Sequence, residues 1–199
     1  MVIVRDLAAG PLRLDELRRW LPGVSAGALE SRLAKMAEEG LIVRRRLRSL
    51  PPRVDLELTD RGRALLPVIG EIARWELETK WSRPRTDEWV DVAACFRLAP
   101  FLQAGSAAPT DDRELALTIE QEDAPEHYVF VEERGRARVE HRDAAAPVAR
   151  LSGSQEDWVH ALSPERGANG LRIEGDRSAA HAFLARFATP AGSGTDDGR

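Results

Sequence analysis

Five arginines, Arg44, Arg45, Arg46, Arg48 and Arg53, crowd a short stretch around the stiff pair Pro51-Pro52. Guanidinium groups gathered on one surface neutralise phosphates and release the counterions condensed on a nucleic acid, giving an affinity that falls steeply with salt. Just before them, a helix running from Ser25 to about Glu39 would present Ser25, Gly27, Ser31, Arg32 and Lys35 away from its apolar side. Hydroxyl, ammonium and guanidinium groups at those positions could reach base edges, although the bidentate readers, outward Asn, Gln or Arg, are scarce. The remaining chemistry is dispersed. His127, His141, His160 and His181 stand 14, 19 and 21 residues apart with no Cys or His cluster beside them, so they read as surface or edge-of-core histidines and not as metal ligands. No dinucleotide-binding Gly-x-Gly-x-x-Gly after a strand, phosphate loop with Gly-Lys-Ser/Thr or Gly-x-Ser-x-Gly elbow occurs. No catalytic residue, metal or cofactor is therefore expected, and a shaped pocket with one or two polar groups is the only route left to catalysis.

The elements that must position the arginines follow from periodicity. Val2 to Ala9 reads as a helix stopped by Gly10-Pro11, and Leu14, Leu17 and Leu21 recur at helical spacing before Pro22-Gly23. Ser25 is placed to cap the next helix and Gly40 to end it in a left-handed conformation. Leu29, Leu33, Met36 and Ala37 form the apolar face of that helix. Leu41-Ile42-Val43 and the alternating Val54-Asp55-Leu56-Glu57-Leu58 read as two strands around an Arg-rich loop. Helix, turn, helix and basic hairpin make a winged helix-turn-helix. Thr59 then caps a long helix from Arg61 to about Trp81, with Leu65, Val68, Ile69 and Ile72 in a stripe that needs a partner surface.

A further helix runs through Trp89, Val92, Ala93, Phe96 and Leu98 until Pro100, and Gly105 to Asp112 reads as a linker. Beyond it the period becomes two. Leu115, Leu117 and Ile119, then Tyr128 to Val131, then Ala137 and Val139, then Val148 and Leu151 are expected as four strands of a meander. Ser154 and Asp157 start a helix carrying Trp158, Leu171-Arg172-Ile173 is a last strand, and Asp176 caps a final helix through Phe187. The tail, residues 191–199, is Gly/Ser/Asp-rich and expected to be disordered. Trp75, Trp81, Trp89, Phe96, Phe101 and Trp158 could line an apolar ligand cavity or serve as ordinary packing. The domains are thus residues 1–82, a connecting helix and linker over 83–112, and an α+β unit over 113–190.

Composition separates the halves further. The 199-residue chain carries a net charge of −4, but residues 1–82 are net +3 and residues 83–199 net −7, so the acidic total conceals a local basic cluster. With 31% charged residues and a mean hydropathy of −0.37, no apolar run spans a membrane. The opening residues do not form a secretory leader, and the single cysteine, Cys95, fits a reducing cytoplasm.

Residues 2–81 resemble the HxlR family of bacterial winged-helix transcriptional regulators. The resemblance is carried in order by Gly10-Pro11-Leu12-Arg13-Leu14-Asp15-Glu16-Leu17, Leu21-Pro22-Gly23-Val24-Ser25, Leu29-Glu30-Ser31-Arg32-Leu33, Glu39-Gly40-Leu41 and Pro51-Pro52-Arg53-Val54-Asp55-Leu56-Glu57-Leu58-Thr59. The second half, ending in Leu171-Arg172-Ile173-Glu174-Gly175-Asp176 and its helix, is similar to the sterol-carrier-protein-2-like domain behind some actinobacterial HxlR-type proteins. The fold class implied is α+β, a winged helix-turn-helix followed by a sterol-carrier-protein-2-like α+β domain. The resemblance implies a cytoplasmic homodimer that sets one recognition helix in each of two operator half-sites, wings on phosphate, with a small apolar ligand sensed by the second domain. The chain starts inside the position of the family's first helix, as either a shortened dimer interface or a wrongly chosen start codon would produce. Cys95 lies in a later helix, so the thiol sensing of some relatives does not carry over. The alternative is the same scaffold redeployed as a small-molecule-binding protein or cofactor-independent enzyme; an enzyme is not the favoured reading.

Overall fold

The computed structural model describes residues 1–47, 53–80, 91–102, 111–163 and 170–187. The first helix, α1 (Val2–Asp6), tightens into a 3-10 turn (Leu7–Ala9) and stops at Gly10. Strand β1 (Leu12–Arg13) leads into α2 (Leu14–Arg19), whose entry is fixed by Glu16 accepting from the Arg13 N–H at 2.7 Å. Helix α3 (Ala26–Glu38) is capped as its sequence requires, with Ser25 Oγ accepting from the Ala28 N–H at 3.2 Å. At its other end Gly40, φ 69°, lets the Leu41 N–H reach back to the Met36 carbonyl at 2.8 Å, the left-handed cap that residues with a Cβ adopt only under strain.

Strands β2 (Ile42–Leu47) and β3 (Arg53–Leu58) form the hairpin, and β1 completes a sheet in the order β1-β3-β2. One expectation changes here. Arg44, Arg45 and Arg46 lie within β2, paired across to Leu56, Asp55 and Val54, and not in a loop. Three charged residues in a row carry no alternation, so periodicity could not extend the strand through them.

The long helix is divided. Helix α4 (Asp60–Arg63), capped by Thr59 Oγ1 accepting from Gly62 at 3.1 Å, ends before Ala64, and α5 (Leu66–Lys80) restarts beyond it. Pro67 is the cause: it cannot donate to the carbonyl of Arg63 and its ring crowds that carbonyl, whereas in the first turn of a new helix it costs nothing.

In the second half, α6 (Val92–Leu102) continues through Pro100, where a stop was expected. Pro100 falls in the last turn and forfeits one bond to Phe96, while Leu98, Ala99 and Leu102 around it are buried. Strands β4 (Arg113–Glu120), β5 (Glu126–Glu133), β6 (Arg136–Glu140), β7 (Ala149–Ser154) and β8 (Arg172–Gly175) form a sheet in the order β6-β5-β4-β7-β8. The first three are the expected meander. The fourth departs from it: β7 lies beside β4 and parallel to it. The crossover between β6 and β7 brings Ala144 onto Ala116, Val129 and Val131, covering the sheet face that those small residues would otherwise leave bare. A period of two assigns residues to faces but not strands to neighbours, so alternation alone does not reveal this crossover.

The opposite face carries α6, α7 (Gln155–Leu162) and α8 (Arg177–Ala185). Both expected caps are present, Ser154 with Asp157 for α7 and Asp176 for α8. Helix α6, expected within a connector, instead packs against α1, α5 and the sheet, and a single core runs from Ile3 to Phe187. The residues read as linker lie outside the described residues except Asp111 and Asp112, and the tail at 191–199 lies wholly outside. No described helix is long and apolar enough to cross a membrane.

Candidate nucleic-acid interface

Helix α3 buries Leu29, Leu33 and Met36 and leaves Ser25, Gly27, Ser31, Arg32 and Lys35 exposed. The two cations do not sit on its outermost line. Arg32 and Lys35 border a groove of about 400 Å3 whose far side is Leu65 and, on α5, Val68. The other flank of α3 carries Glu30, which sequence reasoning passed over, and its carboxylate accepts from Arg44 of the wing at 2.6 Å. This pair sets the exposed line of α3 and the cationic hairpin on one surface.

Arg45 and Arg53 of the wing are also tied down. Arg45 and Arg63 share Glu57, the latter at 2.9 Å, and Arg53 meets Asp55 at 3.0 Å. Among the described residues Arg46 has no carboxylate partner, and Arg48 lies outside them. Pairs between exposed side chains contribute about 0–1 kcal/mol, because water already screens them. They hold the guanidinium groups in place at little cost to their exchange for a phosphate. Glu57 and Arg63 were missed because neither stands in the arginine run: the pairing of β2 on β3 brings Glu57 to it, and α4 folding back onto the end of β3 brings Arg63.

Helix α5 buries Leu66 and Ile69 but exposes Val68, Ile72 and Trp75, with Val68 at 55% and Ile72 at 49%, and Leu65 just before it is also exposed. Met1 and Val2 are exposed as well. Of the stripe read from the sequence, Ile69 is thus covered within the chain, while Leu65, Val68 and Ile72 are left open to solvent.

The four described residues among the six aromatics that could have lined a ligand cavity do not gather into one. Phe96 and Trp158 are fully buried against each other, ring centroids 4.6 Å apart, and the Trp158 Nε1–H donates to the Thr118 carbonyl at 2.8 Å. Trp75 is on the open stripe, Trp81 and Trp89 lie outside the described residues, and Phe101 lines a cleft between the halves.

At that junction lies a polar network that no motif announced. Arg97, on α6 and 2% exposed, donates from Nη1 to the fully buried Asp6 at 3.2 Å and from Nη2 to the Tyr128 hydroxyl at 2.9 Å, and stacks 3.8 Å over the Trp20 ring. The Tyr128 hydroxyl donates its own proton to Glu126 at 2.9 Å. Burial pushes the Asp6 carboxyl above its ordinary value, against the pull of Arg5 and Arg97. Burial, with Asp91 nearby, also pushes the Cys95 thiol up to about 12, so it holds its proton at neutral pH and is a poor nucleophile. The histidines form no cluster, and the described residues contain no group that could hold a metal ion.

The sequence pattern of HxlR-like helix-turn-helix proteins matches residues 1–84. The chain is 37% identical over 83 residues to an uncharacterized HTH-type transcriptional regulator, YvaP, of Bacillus subtilis (strain 168), an alignment that spans 42% of this chain and 75% of that protein. Among solved structures, the reduced form of the transcriptional regulator YodB from B. subtilis aligns at 29% identity and a TM-score of 0.38, over 40% of this chain and 78% of that one. The solution structure of palmitated SCP2L2 from Aedes aegypti aligns at 15% identity and a TM-score of 0.34, over 40% of this chain and 76% of that one.

Proposed function

The chain belongs, through residues 1–84, to the HxlR-like helix-turn-helix family, and we propose that it is a bacterial transcriptional regulator that binds operator DNA as a homodimer and answers to a small molecule through its second half. The observation that carries this is the Arg44–Glu30 pair, which joins the wing to the exposed line of α3. Ser25, Gly27 and Ser31 then face the major groove with Arg32 and Lys35 on the flank, while Arg44, Arg45, Arg46, Arg48 and Arg53 contact the phosphates beside it. A second copy covers the stripe of Leu65, Val68 and Ile72 at the start of α5 and along it, since an apolar row of that length left open is the material of an association surface. The second half is a sterol-carrier-protein-2-like module, a reading supported by one layer of helices over a five-stranded sheet. The chain works in the cytoplasm, where DNA is.

Fluorescence anisotropy with duplex DNA from upstream of the chain's own gene, beside a scrambled duplex, tests the regulator. Tight, salt-sensitive binding that prefers the upstream sequence is expected. The double substitution Arg45→Ala and Arg46→Ala should weaken binding to every sequence alike and reduce the salt slope by about one for each phosphate that is no longer neutralised. Weak, equal binding to both duplexes would favour the alternative, a winged-helix scaffold redeployed for binding or transforming a small molecule. That alternative draws on the carboxylates that already occupy Arg44, Arg45 and Arg53.

The dimer has its own test. Ile72→Asp puts a charge in the middle of the exposed stripe and, by light scattering after gel filtration, should convert a dimer to a monomer with an unchanged fold. An unaltered mass would move the association surface elsewhere.

A further inference from the structure

The two halves meet along an open cleft of about 540 Å3. Residues 8–11, with Arg63 and Leu66, form the wall on the side of the winged helix; Arg97, Phe101 and residues 137–142 of β6 and its exit form the other. The lining divides by chemistry. Apolar surface comes from alanines, prolines, Leu66, Phe101 and Val139, while the charges are four arginines, Arg63, Arg97, Arg138 and Arg142, against one carboxylate, Glu140. The other carboxylates that pair with these arginines stand outside the lining: Glu57 with Arg63, Asp6 with Arg97, Glu133 with Arg138 and Glu114 with Arg142, while Glu140 takes Arg138 at 2.8 Å and Arg142 at 2.5 Å. The pairs of Arg63, Arg138 and Arg142 are half-exposed and so hold weakly against exchange. A cleft whose own lining sets four guanidinium groups beside a flat apolar wall favours an occupant that brings both an anion and a ring.

We propose that this cleft binds a small organic anion, a carboxylate on a flat apolar body, with the acid toward the arginines and the ring along Phe101 and Leu66. The site lies between the halves and not inside the helix-covered core of the sheet. Its walls are directly connected to the wing. The His141 N–H donates to the Ala9 carbonyl at 3.1 Å, and the turn at Gly10-Pro11 leads at once into β1, whose Leu12 and Arg13 pair with Leu56 and Asp55 of β3. An occupant that binds two arrangements of this turn with different affinity shifts the wing between them. This last step alone rests on the ligand-responsive reading above.

The probe is 2-naphthoate, with uncharged 2-naphthamide beside it, titrated into the full chain and followed by amide shifts in 1H–15N spectra. Saturable shifts at residues 8–10 and 137–142 are expected, with the amide binding weaker by about tenfold or more, a difference of roughly 1.4 kcal/mol. Ala137→Trp should fill the cleft and abolish the shifts, and Arg142→Gln, at the half-exposed rim where it pairs with Glu114 and Glu140, should weaken binding while its own spectral changes stay within its neighbours in β4 and β6. Shifts confined to α5, no shift at millimolar probe, or equal binding of the two naphthalenes would overturn the site. Anisotropy with and without 2-naphthoate separates the two ideas: binding that leaves DNA affinity unchanged upholds the cleft and counts against ligand-responsive regulation alone.

Discussion

Asp6→Ala should cost about 3 kcal/mol or more of folding stability, although it removes one small side chain from a five-residue helix. What matters is the group left behind. Arg97 is almost wholly buried, and without Asp6 its other carboxylates stand at 3.9 Å (Asp91) and 4.0 Å (Glu126), too far for a good hydrogen bond. The Trp20 ring below it and the Tyr128 hydroxyl offset part of the loss but cannot neutralise the charge. Urea denaturation followed by tryptophan fluorescence measures the effect as a lower midpoint. Replacing both partners, Asp6→Leu with Arg97→Met, should recover most of it, because the desolvation of two charges is removed together with their attraction. A single mutant within about 0.5 kcal/mol of the parent would show that another group can take over the guanidinium.

Trp158→Ala is the second large effect, about 3–5 kcal/mol, the range for deleting a buried aromatic ring from a core that cannot collapse. Trp158 is fully enclosed, packs edge-to-face on Phe96 and donates to the Thr118 carbonyl, so the variant loses both packing and that hydrogen bond. The void would be apolar and the size of an indole. Added indole should therefore raise the melting temperature of Trp158→Ala and not that of the parent, since a guest stabilises only a state with room for it. If instead the variant folds as well as the parent, the space between sheet and helices is not tightly filled there and returns as a candidate pocket.

Whether such a ring packs or lines a pocket is the kind of question a sequence leaves open. Caps, turns and apolar faces in the first half were legible, because Ser25, Gly40, Thr59 and the Leu29–Leu33–Met36 face are local signals whose physics is complete within a few residues. The arginine cluster was legible as a cluster, yet its carboxylate partners were not, since Glu30 and Glu57 reach it through tertiary placement. In the second half the alternation found the strands and the caps found the helices. It could not reveal that β7 crosses to the far side of β4, nor whether Phe96 and Trp158 face a cavity or each other. Asp6 and Arg97 were invisible for a simpler reason: nothing in a sequence marks one aspartate and one arginine among many as partners.

The separation of that pair, 91 residues along the chain, has a consequence for synthesis. Residues 1–80 emerge first, with the wing hairpin and the α3 cap able to form at once from neighbouring residues. Ile3, Val4 and Ile69, however, are buried in the same core as α6, and Asp6 has its deepest partner there. At ~5–20 residues per second, α6 follows α5 by a second to a few seconds. During that interval the nascent winged helix carries a bare apolar seam and an unpaired acid, and it completes its fold only when the second half arrives to close it.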